Sequence, residues 1–275
     1  MSRPRAPEAV RWRLNVSMTY SKYLKLDELL TLQEPLSDGP EHDETLFIVI
    51  HQVYELWFKV MLHELDRLKQ CLESNNHPDA TATLKRILTI LKTLVAQIDV
   101  LETITPVSFV SFRDRLESGS GFQSVQFREF EFLCGNKQRQ QIELHASGSN
   151  AHSRLEQRLN EPTIYDAFLR FVAANGYDVP AEALQRDVTT PPQEWPSFQP
   201  VLIEIYRENP MVRQVCELLV DFDEGLQEWR YRHVKMVERT IGMKQGTGGS
   251  TGAQYLRTTL FRPLFPDLWA IRTSL

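Results

Sequence analysis

Cysteine is scarce in this sequence. Its three cysteines, Cys71, Cys134 and Cys216, are odd in number, far apart and never part of a C-x-x-C pair. A chain held together by disulfides would carry more of them, so reduced thiols in a cytoplasmic protein fit the pattern best. Cys71 and Cys216 fall on apolar helical faces, where we expect them to pack as small hydrophobic side chains.

Excess positive charge and long apolar runs are also missing. The 275 residues carry a formal net charge of −5, which argues against a surface built mainly for nucleic acid. No apolar run approaches the roughly 20 residues of a membrane span; the densest, LFIVI, ends at His51 and Gln52. Residues 1–16 show neither a helical period nor the apolar core of a secretory signal, so we expect a disordered N-terminal extension and no membrane partner.

Several familiar metal-binding motifs are absent as well. His63 and Glu64 are followed by Arg67 at the place where an H-E-x-x-H zinc site needs its second histidine. The chain has no E-x-x-H pair for a di-iron carboxylate bundle and no C-x-x-C-H haem attachment. The glycine-rich stretch 246–252 lacks the Lys-Ser/Thr end of a phosphate-binding loop.

The most informative stretch present is 46–72, LFIVIHQVYELWFKVMLHELDRLKQCL. Its apolar side chains recur at alternating steps of four and three, which is the seam of a long helix packed against other helices. A second row widens the apolar face, so we expect the first half of this helix to lie inside a bundle. The seam consists of Phe47, His51, Tyr54, Phe58, Met61, Leu65, Leu68 and Leu72, and the second row of Leu46, Ile50, Val53, Trp57 and Val60.

A second long helix, predicted over 211–241, has the same rhythm. Its seam consists of Val212, Val215, Leu219, Phe222, Leu226, Trp229, His233, Met236 and Thr240. His233 therefore holds the place in this seam that His51 holds in the other. Four basic residues flank His233, and a solvated basic face is their ordinary interpretation. These residues are Arg230, Arg232, Lys235 and Arg239.

The rest of the chain is also predicted to be helical. Another apolar stripe marks a helix over 80–103, and no stretch alternates like a strand. Four prolines make 188–200 a linker or a wrap-around loop. We therefore expect an all-α fold with a single domain over 17–275. Two long helices would form the core of its bundle, and about 137–200 would be a small helical subdomain.

Two single histidines in apolar seams, His51 and His233, restrict the possible chemistry. Zinc needs three or four close ligands. One histidine as the sole protein ligand suits a metal whose in-plane ligands come from a macrocycle, and an apolar bundle interior suits a flat cofactor such as haem. Two unconnected core histidines in a helical scaffold without a ligand explain the same pattern. The residues alone leave both hypotheses open, and cofactor absorbance would separate them.

Two further features could belong to a binding site. The loop 246–252, GTGGSTG, is rich in backbone N–H groups and hydroxyls, as lids and anion-binding loops are, although a flexible connector has the same composition. Arg113 stands one helical turn beyond Phe109 in VSFVSFRDRL. An arginine on an aromatic wall can hold a carboxylate with its fork. An ion pair with Asp114 or Glu117 is the ordinary alternative.

Long motifs spread along the chain resemble one known family. HDETLFIVIHQVYELWFK, LETITPVSFVSFRDRLESGSGFQSVQFREFE, WRYRHV and KQGTGGSTG are together similar to the tryptophan 2,3-dioxygenase family as it occurs in bacteria. The similarity covers about 20–275 in the same order. The resemblance implies an all-helical bundle whose two long core helices enclose a haem pocket.

The resemblance also implies a reaction. The cofactor would be haem b, ferrous in the active form, with O₂ as co-substrate. Both oxygen atoms would be inserted across the C2–C3 bond of the indole ring of L-tryptophan to give N-formyl-L-kynurenine, which is the first step of the kynurenine pathway of tryptophan degradation. Members of the family are usually cytoplasmic homotetramers in which an N-terminal segment reaches the site of a neighbouring subunit.

Residue by residue, the matched motifs imply specific roles. His233 in WRYRHV would be the proximal ligand of the haem iron, and His51 in FIVIH would be the distal, catalytic histidine that accepts a hydrogen bond from the indole N–H. Phe47 would pack on the indole, and Arg113 in FRDRL would pair with the substrate carboxylate. Phe109 holds a position where some family members have tyrosine, which leaves wall packing intact and removes a possible hydroxyl contact. The other implied substrate contacts are Thr247 in GTGGSTG and Tyr20, Tyr23 and Leu24 in TYSKYL.

A sister family, indoleamine 2,3-dioxygenase, shares this chemistry with a looser substrate choice. The motifs TYSKYL and GTGGSTG favour the tryptophan enzyme, and activity on D-tryptophan or tryptamine would discriminate between the two. In either case burial should keep His51 and His233 neutral near pH 7, because desolvation lowers the pKa of a histidine. A neutral His233 is what ligation of iron requires.

Overall fold

The computed structural model describes residues 17–39, 41–244 and 252–275. Within these residues the chain forms helices and no β-strand, which confirms the all-α fold class. Residues 1–16, predicted to be disordered, and Thr247 lie outside the described residues. The α-helices are α1 (Tyr20–Leu24), α2 (Leu26–Leu29), α3 (His42–Glu73), α4 (His77–Leu101), α5 (Pro106–Arg113), α6 (Val125–Leu133), α7 (Asn150–Asn160), α8 (Ile164–Ala174), α9 (Ala181–Leu184), α10 (Gln199–Glu208), α11 (Pro210–Ile241), α12 (Ala253–Arg257) and α13 (Pro266–Ala270). Short 3₁₀ helices span Asp114–Leu116, Gly121–Gln123, Arg139–Gln141 and Ile271–Ser274.

By its internal contacts the chain divides into two units, Met1–Glu34 and Pro35–Leu275. In the described part of the first unit, α1 and α2 follow one another and meet at Lys25, whose backbone is left-handed with a φ of 51°. No residue of these two short helices is buried. The single domain over 17–275 and the subdomain over 137–200 stay predictions.

Helices α3, α4 and α11 form the centre of the second unit. Helix α4 packs against both α3 and α11, while α6 and α8 pack on other sides of α3. The seams predicted for α3 and α11 are buried along most of their length. Each fully buried Leu or Met contributes roughly 1.5–3 kcal/mol. The fully enclosed seam side chains are Met61, Leu65, Leu68, Leu72, Val212, Val215, Leu219 and Phe222.

One face of α3 is more exposed than its sequence indicates. Val49 and Leu56 are 37% and 50% exposed, so the prediction that the first half of this helix lies inside the bundle is wrong for these positions. Val60, in the second apolar row, is also 37% exposed. By length and composition alone, α3 could cross a membrane. Its other faces are covered by α4, α6 and α8, as in a core helix of a globular protein.

Capping residues determine where two cavity-lining helices begin and end. The side chain of Asn209 accepts a hydrogen bond from the Val212 N–H at 3.2 Å, and Pro210 occupies the first turn of α11, where a missing N–H does no harm. Helix α6 ends before Gly135, whose φ is +91°. A Cβ at that position would lie 2.6 Å from the Cδ of Pro192. Gly135 therefore lets the proline-rich loop pack directly on the end of α6.

The C-terminal segment is fastened to α11 by a buried carboxylate. The Oδ2 atom of Asp223 accepts hydrogen bonds from the backbone N–H groups of Leu264 at 2.7 Å and Phe265 at 3.3 Å, and from the Nε1 of Trp269 at 2.9 Å. Burial raises the pKa of Asp223, and these three donors act in the opposite direction. The last helical turns of the chain are thus part of the core.

Candidate active site

A cavity of about 290 Å³ opens among α3, α4, α5, α6, α11 and α12. Its wall is mostly apolar and includes Ile98, Leu101 and Val237. The fold brings together on this wall five residues that lie far apart in the sequence and were singled out there as site candidates. They are Phe47, His51, Phe109, Arg113 and His233.

His51 presents an acceptor nitrogen. Its Nδ1 lies 2.7 Å from the carbonyl oxygen of Phe47, one turn earlier in α3. Because a carbonyl oxygen only accepts, this bond assigns the hydrogen to Nδ1 and leaves Nε2 of the neutral ring as an acceptor. Burial lowers the pKa of His51 below 6.5, while the bond to Phe47 and the charge of Glu55 act in the opposite direction.

His233 is held differently. Its imidazole lies parallel to the indole of Trp229, with ring centroids 5.3 Å apart. Within the part of the chain that the structure describes, neither ring nitrogen of His233 has a hydrogen-bond partner. Burial, together with the charges of His51, Arg230 and Arg128, lowers the pKa of His233 to about 4. His233 is therefore a neutral imidazole on the wall of an apolar cavity, and it has a ring nitrogen whose lone pair can bind a metal.

This environment fits a single protein ligand of a haem iron. A neutral imidazole whose nitrogens are not used by the protein can bind iron. Among the described residues, no group of three or more His, Cys, Asp or Glu side chains could hold a metal ion by itself. The macrocycle of a haem supplies the remaining in-plane ligands, so one histidine is enough.

An aromatic wall stands beside His51. The Phe47 ring lies 4.1 Å from the His51 ring, 5.7 Å from Phe109 and 5.5 Å from Phe112, measured between centroids. Arg113, the last residue of α5, lines the same cavity one turn beyond Phe109. The structure thus places a guanidinium next to flat apolar surfaces, which is the arrangement that a zwitterionic aromatic ligand requires.

Sequence reasoning missed Glu55. This residue follows His51 by one turn and also lines the cavity. The Nε2 of Gln126 in α6 donates to the Glu55 carboxylate at 2.8 Å and to its backbone carbonyl at 2.9 Å. The only signal in the sequence was a charged residue at helical spacing from His51. The neighbouring sequence gave no indication that Gln126 would hold Glu55.

Sequence reasoning also missed a buried ionic cluster on this wall, formed by Arg128, Glu131 and Arg230. The expected basic face on α11 is therefore wrong for Arg230, which is buried. It holds for Arg232 and Lys235, which lie nearer the surface and pair with acidic residues. Arg128 and Glu131, one turn apart in α6, gave the only sequence signal.

Three other predicted site residues lie in the first unit. Tyr20, Tyr23 and Leu24 belong to α1, and the two tyrosines are each 75% exposed. Their proposed place at the site of a neighbouring subunit stays a prediction. Thr247, predicted to bind the amino acid end of the substrate, lies outside the described residues.

The chain is similar to proteins of known name over almost its whole length. A family model described as Tryptophan 2,3-dioxygenase matches residues 7–163 and 197–275. A tryptophan 2,3-dioxygenase of Herpetosiphon aurantiacus is 60% identical over 262 residues, which cover 95% of this chain and 100% of the relative. Proteins of the same name from an Anaeromyxobacter species and from Saccharopolyspora erythraea are 53% and 44% identical, covering 95% and 100% of this chain and 97% and 98% of the relatives.

Proposed function

The chain belongs to the tryptophan 2,3-dioxygenase family, and we propose from its cavity how its residues carry out that family's reaction. It is an oxidoreductase that adds both atoms of O₂ across the indole C2–C3 bond of L-tryptophan. The product is N-formyl-L-kynurenine, and the reaction is the first step of the kynurenine pathway. The observation that carries the assignment of roles is the meeting of His51, Arg113 and His233 on one apolar cavity.

The family depends on haem and O₂. We assign the cofactor to haem b, ferrous in the active form, with His233 as its iron ligand. The support is the lowered pKa of His233 and the absence of a hydrogen-bond partner for its ring nitrogens among the described residues. Bound there, the haem would supply the activation of O₂. The protein's own contribution is an apolar wall that excludes water and a fixed imidazole.

The indole ring is positioned by Phe47 and His51. Phe47 packs on the ring, and Nε2 of His51 accepts a hydrogen bond from the indole N–H. Two features support this arrangement. The Phe47 carbonyl holds the hydrogen of His51 on Nδ1, so the correct nitrogen is the acceptor. The two side chains also share one face of α3, so both can act on the same ligand. Phe109 completes the aromatic wall through its contact with Phe47.

The carboxylate of tryptophan pairs with Arg113. A bidentate guanidinium–carboxylate pair selects amino acids over bare indoles, because the pair forms only with a ligand that carries a carboxylate. We also assign Thr247 to the amino acid end of the substrate. Tyr20, Tyr23 and Leu24 line the site of a neighbouring subunit in a homotetramer. Their exposure in α1 is compatible with that contact. We place the enzyme in the cytoplasm, with neither nucleic acid nor membrane as a partner.

One spectroscopic experiment tests the cofactor, the substrate and the reaction together. The full-length chain is loaded with haem, reduced, and followed by ultraviolet-visible absorbance before and after L-tryptophan is added in air. We expect a Soret band that shifts with tryptophan, followed by the absorbance of N-formylkynurenine. The variant His233→Ala should lose stable haem binding, whereas His63→Ala, at an exposed position of α3, should keep it.

The other outcomes each contradict a specific part of the proposal. A haem spectrum without turnover would make the protein a carrier or a sensor. If the protein takes up no haem, His51 and His233 are core histidines of a helical scaffold. Equal turnover of L-tryptophan, D-tryptophan and tryptamine would indicate the looser substrate choice of an indoleamine dioxygenase. Full haem retention by His233→Ala would overturn the ligand assignment.

A further inference from the structure

Three charged side chains are buried together on the wall of the cavity. Arg128 and Glu131 of α6 and Arg230 of α11 are only 4%, 3% and 7% exposed. Glu131 bridges the two arginines. Its Oε1 accepts from Nη2 of Arg230 at 3.1 Å, and its Oε2 accepts from Nη1 of Arg128. The substrate contacts proposed above do not involve this cluster.

The hydrogen bonds within the cluster are unevenly shared. Both carboxylate oxygens of Glu131 accept a hydrogen bond from an arginine. Oε1 accepts a further hydrogen bond from Nδ2 of Asn136 at 3.1 Å. Arg128 uses its Nε and Nη2 to donate to the carbonyl of Phe122, at 3.3 and 3.2 Å. Arg230 makes one hydrogen bond in the described part of the chain. A guanidinium has five N–H donors, so most of the donors of Arg230 have no acceptor among the described residues.

The charges are also uneven. Two arginines share one glutamate, so the cluster carries a net positive charge away from bulk water. The other charged groups on the described wall are Arg113 and Glu55, and Gln126 holds Glu55 beside His51. The described wall as a whole is therefore positive, and a buried positive charge favours an anion in the space that it faces.

The position of the cluster identifies the ligand it would meet. Arg230 precedes His233 by about one turn of α11, so both side chains project from the same helix face. Arg128, Arg230 and His233 also line the same cavity, so the cluster and this imidazole share one region of it. A group bound at His233 is thus within the field of both arginines.

We propose that Arg230, supported by Arg128, binds a carboxylate side chain of the haem porphyrin, and that Glu131 fixes both guanidinium groups for that purpose. This inference rests on the proposed haem function and adds the residues that recognise the acidic edge of the cofactor. A guanidinium fork matches a carboxylate in geometry and charge. The apolar part of the wall takes the body of the ring.

The test compares two porphyrins in the full-length protein. The chain is loaded with iron protoporphyrin IX or with its dimethyl ester, which lacks the two carboxylate charges. The rate of porphyrin loss to excess scavenger is then followed at the Soret band. We expect the wild-type protein to lose the ester at least about tenfold faster than the diacid, the effect of one charge-assisted hydrogen bond.

The variants separate this role from a structural one. Arg230→Gln should lose the diacid and the ester at nearly equal rates, while Arg230→Lys should keep part of the preference. Arg232→Gln is the matched control, since Arg232 lies on the same helix and pairs with Asp99 and Glu102. Circular dichroism confirms folding, and the pair Arg230→Gln with Glu131→Gln replaces Arg230→Gln if that variant unfolds.

Each result decides the question. Equal loss of both porphyrins from the wild-type protein would overturn this inference and leave the haem function intact. No porphyrin uptake by the wild-type protein would overturn the haem function and the inference with it. The cluster could instead receive the carboxylate of tryptophan. If Arg230→Gln keeps its porphyrin preference but no longer distinguishes tryptophan from its methyl ester, the cluster is a substrate site and the proposal is wrong.

Discussion

The indole ring of Trp229 lies parallel to the imidazole of His233, with an interplanar angle of 3°. Trp229 is also in edge contact with Phe58 of α3, with ring centroids 6.3 Å apart. The tryptophan therefore fills the space between α3 and the imidazole and leaves the His233 ring little freedom to rotate. Since no described residue makes a hydrogen bond to His233, this stack is the contact that orients it.

Trp229→Ala should therefore loosen the haem ligand. Truncating a buried tryptophan leaves a cavity and costs about 3–5 kcal/mol of folding stability. We also expect porphyrin loss to accelerate by roughly tenfold, because the aromatic stack no longer holds the ring. Trp229→Phe should restore most of the slow loss. Trp195→Ala, at a partly buried tryptophan away from the cavity, controls for stability alone, and equal acceleration there would contradict the orienting role.

The activity should depend on His51 being neutral. Burial holds the pKa of His51 below 6.5, so its Nε2 is an acceptor at pH 7 and becomes protonated as the pH falls through that lowered pKa. kcat/KM for tryptophan should be flat near neutral pH and fall on the acid side. The negative charge of Glu55 raises the pKa of His51, so Glu55→Gln should move the acid limb to lower pH.

The matched control is Glu73→Gln, which removes a carboxylate from the far end of the same helix, where it pairs with Arg170. Its pH profile should coincide with that of the wild-type protein. An acid limb that stays in place in Glu55→Gln would show that His51 is not the group whose protonation limits the reaction.

Arg113→Ala should weaken tryptophan binding selectively. Leaving the substrate carboxylate without its partner costs several kcal/mol, so KM for L-tryptophan should rise by roughly a hundredfold. Tryptamine has no carboxylate, and its kcat/KM should be unchanged. Arg115→Ala, which removes an exposed arginine paired with Asp38 at 2.6 Å, should leave both substrates unaffected. An equal loss with tryptamine would mean that Arg113 supports the fold of the wall instead.

The pair Arg186–Asp166 should contribute strongly to folding stability. Nε of Arg186 donates to Oδ1 of Asp166 at 2.6 Å, and the two side chains are 5% and 6% exposed. Arg186→Met leaves a buried carboxylate without its partner, and we expect the free energy of unfolding in urea to fall by about 3–5 kcal/mol at pH 7. Arg186→Met combined with Asp166→Asn should lose less. Arg170→Met, at an exposed pair, should change stability by at most about 1 kcal/mol.

This contribution should also depend on pH. Burial alone raises the pKa of Asp166, but hydrogen bonds from Arg186 and Thr163 bring the pKa below 3.8. Its stabilisation is therefore fully present above pH 3.8 and is lost as the pH falls through the lower pKa of the folded state. The difference in unfolding free energy between the wild-type protein and Arg186→Met should shrink in acid. A constant difference would show that packing, not charge, is responsible.

The sequence predicted the helices well because burial on one helix face leaves a local period. The seams of α3 and α11 could be identified without knowing which helices they pack against. The ends of the seams are different, since Phe47 and His51 are only half-buried and face a cavity. Periodicity cannot distinguish a packed position from a cavity wall. Only the resemblance to a family separated these two possibilities at the sequence level.

Positions that depend on distant partners could not be predicted. Arg230 and Arg232 are two arginines on the flank of the same histidine, yet one is buried and the other pairs with α4 at the surface. The difference comes from Glu131, which lies 99 positions from Arg230. The exposed Leu56 is a similar case, because its surroundings depend on where the neighbouring helices end.

The attachment of the C-terminal segment to Asp223 affects how the protein folds during its synthesis. Helix α11 carries His233, but the donors that meet the Asp223 carboxylate belong to Leu264, Phe265 and Trp269. During synthesis this carboxylate leaves the ribosome well before its partners do. The helix that would bind the cofactor therefore cannot reach its final packing until residues 264–269 have been synthesised, and a chain that stops before them should aggregate.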